Sequence, residues 1–377
     1  MYSMAKSGCL GCAGLSFLLG ILMFELKKQT KETSTSRISQ HLIKNFNHWR
    51  IGVSSPQLLK SAYNIPLIAA VGGGKGGVGK SIISANLGAS LAKAGYRVLV
   101  IDLDIGCSNL HSHFGVAMPG KSLADIFLSR SLNFKDVILP APVQGLAFVA
   151  GGREDQLLDT FESTPGSLVR LWEMIYACKQ NYRVDIVLLD LGAGTHRHTL
   201  DFFVGSHLGL ITVLPEPTSI ENAYVFLKMS LQKLLYNVGV NTNTTEIAED
   251  ILTGISNMTS GNLNRGYAHF IQGLKTSYPR FVHNFAQSIL GRFIGLVVNQ
   301  ARDQADQDIG NSMEHICQRY FGWQTRNMGS VGYHETVINA LKERRLLLNA
   351  YPESKVAGQI NQVATRCLDT VGLKGRV

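Results

Sequence analysis

The sequence predicts an α/β protein: a doubly wound, mostly parallel sheet with helices on both faces. Three observations carry this. Short apolar runs of strand length alternate with longer segments of helical periodicity. The first run passes directly into the glycine-rich stretch "VGGGKGGVGKS" at residues 71–81. Later runs end in Asp or Asn, which puts polar groups at the carboxyl edge of the sheet, where such folds bind ligands.

The first strand is "IPLIAAV", residues 65–71, and the segment from Ile82 to Ala94 is apolar-periodic. Strand, glycine loop and helix follow in the order a phosphate-binding loop requires. Gly73, Gly74, Gly76, Gly77 and Gly79, with Val78 among them, can turn backbone N–H groups around phosphate oxygens. The helix N-terminus adds its dipole. Lys80 can reach the β- and γ-phosphates, and the Ser81 hydroxyl can bind Mg²⁺. Lys75 has no evident task within one such loop.

"YRVLVIDLD", residues 96–104, is a second buried strand. Asp102 and Asp104 share one face if the strand continues. Asp104 can position or polarise an attacking water; Asp102 can support either the Mg²⁺ shell or the following loop. "VDIVLLDLGAG", residues 184–194, is a third strand, ending in Asp190, the usual second Mg²⁺ partner. Gly192 and Gly194 allow the backbone close to a γ-phosphate. A fourth strand in residues 208–214 leads through Pro215 and Pro217 to a helix, with Thr218 or Ser219 as N-cap. "GRFIGLVVNQ", residues 291–300, is a fifth strand. The Asn299 amide near its end can pair with an adenine edge, or serve only to form a turn.

The chain has 377 residues, 45% of them hydrophobic, so a sizeable core is expected and extensive disorder is not. Six scattered cysteines do not make a disulfide framework and favour a reducing compartment. Cys9 and Cys12 form a C-x-x-C with no second pair to complete a metal site. The net charge is +9, but residues 1–65 carry eight Lys/Arg against two Glu, which accounts for +6. A basic nucleic-acid-binding face on the remainder is therefore poorly supported.

The expected organisation is an N-terminal extension at 1–62 and one domain at 63–377, with a mostly helical insertion at about 231–288. Residues 7–24 hold no charge and would reach roughly 27 Å as a helix, near a ~30 Å hydrocarbon core. Lys27, Lys28 and Lys31 follow, which would leave the C-terminal side in the cytoplasm. A start codon assigned too early would give the same leader, so membrane contact and artefact both stay open.

"GGGKGGVGKS" resembles the deviant Walker A loop of the MinD/ParA family of P-loop ATPases (SIMIBI type). "IDLDIGCSNLH" is similar to that family's second aspartate motif. "LLDLGAGTHRHTLDFF", "PEPTSIENAYVFLK" and "GYHETVINALKERRLLLNAYPESKVAGQI" resemble its FlhG (FleN/YlxH) branch most. The likeness covers about residues 64–232 and 290–366.

The resemblance implies ATP and Mg²⁺ as ligands and a homodimer with ATP at its interface. Lys75 then matches the signature lysine that reaches the partner's phosphates. Lys80 and Ser81 match the loop lysine and Mg²⁺ ligand, Asp104 the water-activating aspartate, Asp190 the Walker B aspartate and Asn299 the adenine contact. The implied activity is slow, dimer-coupled ATP hydrolysis that acts as a timer for membrane and partner binding. The implied location is the cytoplasm, at the inner face of the membrane. In the FlhG branch the output is flagellar number and placement, with an FlhF-like GTPase as partner. MinD-like division-site placement and ParA-type DNA partitioning are the alternatives. The chain departs from the family at Gly332-Tyr333-His334, where Pro-Tyr-Asp is common. Ile360, Val363, Ala364 and Cys367 share one face of the last helix, a pattern that favours core packing over membrane targeting.

Overall fold

A computed structural model describes residues 65–104, 108–129, 131–152, 166–256, 266–290 and 292–376. The extension at 1–62, with its apolar segment and C-x-x-C, lies outside the described residues.

The doubly wound sheet predicted from the sequence is present. β1 is Leu67–Gly72, β2 Val98–Leu103, β3 Leu139–Pro140, β4 Leu146–Val149, β5 Ile186–Leu191, β6 Leu208–Val213, β7 Phe293–Ala301 and β8 Gln324–Gly332. The eight strands run in the order β3-β4-β2-β5-β1-β6-β7-β8. All neighbours are parallel except the β3–β4 pair. β1 therefore lies between β5 and β6, which brings the first glycine loop next to the ends of two other strands.

The helices in chain order are α1 (Lys80–Lys93), α2 (Leu110–His113), α3 (Leu123–Leu128), α4 (Ser167–Tyr182), α5 (Arg197–Gly205), α6 (Pro217–Asn241), α7 (Thr245–Ser256) and α8 (Gly266–Gly273). They continue with α9 (Pro279–Ile289), α10 (Gln304–Phe321), α11 (Glu335–Lys342), α12 (Leu347–Ala350) and α13 (Lys355–Thr370). Strand residues alternate between the two faces. In β1, Ile68 and Ala70 join one core with Trp172, Phe202 and Phe226 from α4, α5 and α6. Ala69 and Val71 join the other, with Leu87 of α1 and Ile360 of α13.

Between β6 and β7, α6 runs on to Asn241 and is followed by α7, α8 and α9. Phe281 and Phe285 bury one face of α9, and Tyr267 of α8 stacks on Phe321 of α10 at 5.9 Å between ring centroids. Ile360, Val363, Ala364 and Cys367 of α13 are all buried, so this apolar stripe is core. Among the described residues no helix is long and apolar enough to cross a membrane.

The helix after β6 begins earlier than the sequence suggests. Glu216, not Thr218 or Ser219, is the N-cap, with Pro217 as the first helical residue. Proline lacks an N–H that this position would leave unpaired, and its fixed φ suits it. The Ser219 hydroxyl instead accepts from Leu214 N at 2.9 Å.

Candidate functional site

The loop between β1 and α1 spans Gly73 to Gly79. Gly77 and Gly79 adopt φ of 77° and 91°, which side-chain-bearing residues rarely take up. Elsewhere the loop needs glycine for closeness: a Cβ on Gly74 would run into the Asn222 backbone, and one on Gly79 into the Asn299 amide. α1 starts at Lys80, so its unpaired N–H groups open onto the loop and favour an anion.

The two lysines are placed in opposite ways. Lys80 is only 6% exposed and lies close enough to Asp190 to favour its charged form. Lys75 is 41% exposed at its side chain. Its Nζ reaches Glu216 Oε2 at 3.5 Å and Thr218 Oγ1 at 3.4 Å, both at the start of α6.

Asp190, the penultimate residue of β5, is buried, and Ser84 Oγ donates to its Oδ1 at 2.7 Å. Its Oδ2 is buried with no hydrogen-bond partner. Burial raises the Asp190 pKa, while the Ser81 and Ser84 hydroxyls and the Lys80 ammonium oppose that rise. A buried acceptor without a donor, beside a serine hydroxyl and a helix N-terminus, suits a cation bound with phosphate. Among the described residues no cluster of three metal-ligating side chains forms. Magnesium needs none, since one or two protein oxygens, water and phosphate suffice.

Asp102 is bound into the loop that follows β2. It sits beside Asp190 in register on β2, but both its oxygens are spent on the loop that follows. Ser108 Oγ donates to Oδ2 at 2.6 Å, Leu110 N to Oδ2 at 3.2 Å, and Asp104 N to Oδ1 at 3.1 Å. Burial, then the neighbouring Asp190 charge, raises its pKa. Of the two roles open to it, these hydrogen bonds support the loop role. Asp104 lies beyond the strand end and is half-buried. A Cβ on Gly192 would come within 2.8 Å of Asp104 Oδ1, so that glycine lets the loops after β2 and β5 meet.

Asn299 reaches the loop from β7. Its Nδ2 donates to Val78 O at 2.8 Å, and it is buried. One amide hydrogen is therefore committed to the loop backbone; the second and the carbonyl oxygen remain for other partners. The structure thus gathers Lys80, Ser81, Asp104, Asp190 and Asn299 around one loop. Lys75 stands at its mouth, and Asp102 lies beneath. Ser84 and Glu216 were not foreseen. Ser84 stands one helical turn after Lys80, on the face toward β5, and Glu216 follows β6 at the same sheet edge.

A family model described as the CobQ/CobB/MinD/ParA nucleotide binding domain matches residues 69–347. The chain belongs to this family. A member in Pseudomonas aeruginosa, the antiactivator FleN, is 24% identical over 79% of this chain and 85% of its own length. The flagellum site-determining protein YlxH of Helicobacter pylori is 34% identical over 43% of this chain and 52% of its own. The septum site-determining protein MinD of Bacillus subtilis is 30% identical over 40% and 54%. The chain thus spans about half the length of the last two. Among solved structures, MinD of Pyrococcus horikoshii, in complex with Mg-ADP, has a TM-score of 0.54 at 18% identity. It covers 83% of this chain and 100% of that one, and shares the fold. Members of this family bind nucleotide, and the loop, Ser81 and Asp190 of this chain fit ATP with Mg²⁺.

Proposed function

We propose that the chain is an ATP-hydrolysing switch that acts as a homodimer with nucleotide between its subunits. One observation carries this: two lysines on one loop, one buried against the phosphate cradle and one at its open mouth. Lys80 serves the phosphates from within. Lys75, which among the described residues contacts exposed Glu216 and Thr218, is placed to reach toward a second subunit. A cation delivered in trans beside a γ-phosphate can raise the rate by orders of magnitude. Hydrolysis would then depend on pairing.

Ser81 and Asp190 would hold Mg²⁺, which when bound offsets charge on the phosphates. Asp104 would orient the attacking water, and Asn299 would combine support of the loop with contact to the base. The process served, in this reading, is flagellar number and placement. Support comes from the FleN match, which runs through most of both chains. An FlhF-like GTPase and a membrane surface are the partners this reading brings. Division-site placement uses the same chemistry, and neighbouring flagellar or division-site genes would separate the two. DNA partitioning is disfavoured by the small charge of the chain beyond residue 65.

The test compares two variants. Lys75→Ala is expected to keep ATP binding within about threefold and lose the rise of specific activity with protein concentration. Lys80→Ala is expected to weaken binding itself. Equal loss of binding in both, or parent activity per chain that ignores concentration, would overturn the reading.

A further inference from the structure

Among the described residues β8 is an edge strand, hydrogen-bonded to β7 on one side alone. An exposed edge offers unpaired N–H and C=O groups to any other strand. Here several of those groups are already taken, by side chains. Gln318 Nε2 of α10 donates to Thr325 O at 2.7 Å. Asn327 N donates to Glu314 Oε2, also of α10, at 2.7 Å. Gly329 N donates to Asn327 Oδ1 at 2.9 Å, and Gly332 N to Gln359 Oε1 of α13 at 2.8 Å.

The capping side chains brace one another. Gln318 Nε2 also lies 3.2 Å from Glu314 Oε1, and Asn327 Nδ2 donates to Asn311 Oδ1 at 2.7 Å. The strand is irregular as well, with its register against β7 shifting between Leu296 and Val297. A polar groove of about 410 Å³ runs beside it, lined from α10 by residues such as Gln307 and from α13 by Gln362 and Arg366. The opposite edge is blunted by other means: β3 is two residues long and ends in Pro140. Short strands and proline are both ways of denying an edge to a partner.

We propose that Glu314, Gln318, Asn327 and Gln359 form an edge guard, occupying the free side of β8 in place of a ninth strand. The partner they exclude is β8 of a second copy, which could otherwise pair edge to edge. This inference is independent of the proposed ATPase activity. It bears on it in one respect: a protein that associates through its sheet edge at all times cannot use association as a nucleotide signal.

The experiment uses the full chain without nucleotide. The triple variant Glu314→Ala, Gln318→Ala, Gln359→Ala is compared with the parent by light scattering across a hundredfold range of concentration. Hydrogen exchange at Asn327 and Gly332 is followed in parallel. The parent is expected to keep one mass throughout. The triple variant is expected to exchange those two amides at least tenfold faster when dilute. Its mass should rise on concentration, with the amides slowed again. Glu314→Gln keeps an acceptor and should behave as the parent. The guarding side chains lie outside the apolar core, so single variants at Glu314 and Gln359, read by exchange and scattering, serve if the triple variant does not fold. A constant mass despite faster exchange would overturn the proposal. So would unchanged exchange, since the side chains would then not be the partners of these amides.

Discussion

Lys233 of α6 and Asp201 of α5 form an ion pair at 2.7 Å, with side chains only 4% and 5% exposed. Burial lowers the Lys233 pKa even though Asp201 opposes the change, so desolvation outweighs the attraction. A buried pair of this kind adds little to stability, yet removing one member costs about 3–5 kcal/mol because a buried charge is stranded. In Lys233→Met the stranded group is Asp201. Arg197, close enough to interact with Asp201, softens the loss. The expected cost is thus about 2–4 kcal/mol, against a total stability of roughly 5–15 kcal/mol. Replacing both, Lys233→Met with Asp201→Leu, strands no member of the pair but takes from Arg197 its neighbouring carboxylate, so the double variant should recover part of the loss and cost less than the sum of the two single losses. Urea unfolding measures this: at a slope of about 3 kcal/mol/M, the single variant's midpoint falls by roughly 1 M and the double variant's recovers in part. A neutral single variant would refute the reasoning. So would a double variant that loses the sum of the two single losses.

Two further outcomes follow from buried groups. Burial lowers the pKa of both His113 and His207 to about 4, and Ile68 N donates to His207 Nδ1 at 2.9 Å, which requires a neutral ring. At these two rings the unfolded chain takes up protons near pH 6.5 while the folded chain does not, so their contribution to stability should fall as pH drops from about 6.5 to about 4, against the opposite trend from the raised Asp102 and Asp190 carboxyls. At ~1.4 kcal/mol per pH unit, each ring contributes up to about 3 kcal/mol of loss. The difference in urea midpoint between the parent and His207→Asn isolates one ring: it should move in favour of the variant as pH falls across that range, and a difference that does not change with pH would contradict the assignment. Gly79→Ala combines a φ of 91° with a clash against Asn299. Left-handed backbone alone costs about 1–2 kcal/mol. Both melting temperature and nucleotide affinity should drop, whereas Gly358→Ala, inside α13 where a Cβ meets open space, should leave affinity unchanged and stabilise by about 0.5–1 kcal/mol.

The elements legible in the sequence were those whose cause is local. β1, β2, β5 and β6 are six-residue strands buried nearly throughout, and each reads as an apolar run. β8 was not legible, because an edge strand with a guarded free side needs few apolar residues: Met328 and Val331 are its main ones. β3 and β4 are too short to leave a pattern. The glycine loop was legible because its geometry is set within ten residues. The contact of Lys75 with Glu216 was not, since it joins positions 141 residues apart through the β1–β6 neighbour relation. The loop role of Asp102 was visible only as one of two options. Its hydrogen bonds from Ser108 and Leu110 come from residues that fold back onto it, which no local pattern announces.

α1 carries the phosphate loop, and most of its surface is inaccessible, including Ser84, Asn86 and Ser90 among its polar residues. Asn86 accepts from Leu348 N at 3.1 Å, Ser90 donates to Asn361 at 2.7 Å, and Lys93 donates to Leu348 O at 3.0 Å. The helix is pinned between the sheet and α12 and α13. Detaching it would break these bonds and open the second core, so its opening is coupled to that core. A ligand that binds its N-terminus in the folded chain alone adds about 2.7 kcal/mol of stability at one hundred times its dissociation constant. The melting temperature of this protein is in effect a gauge of nucleotide occupancy.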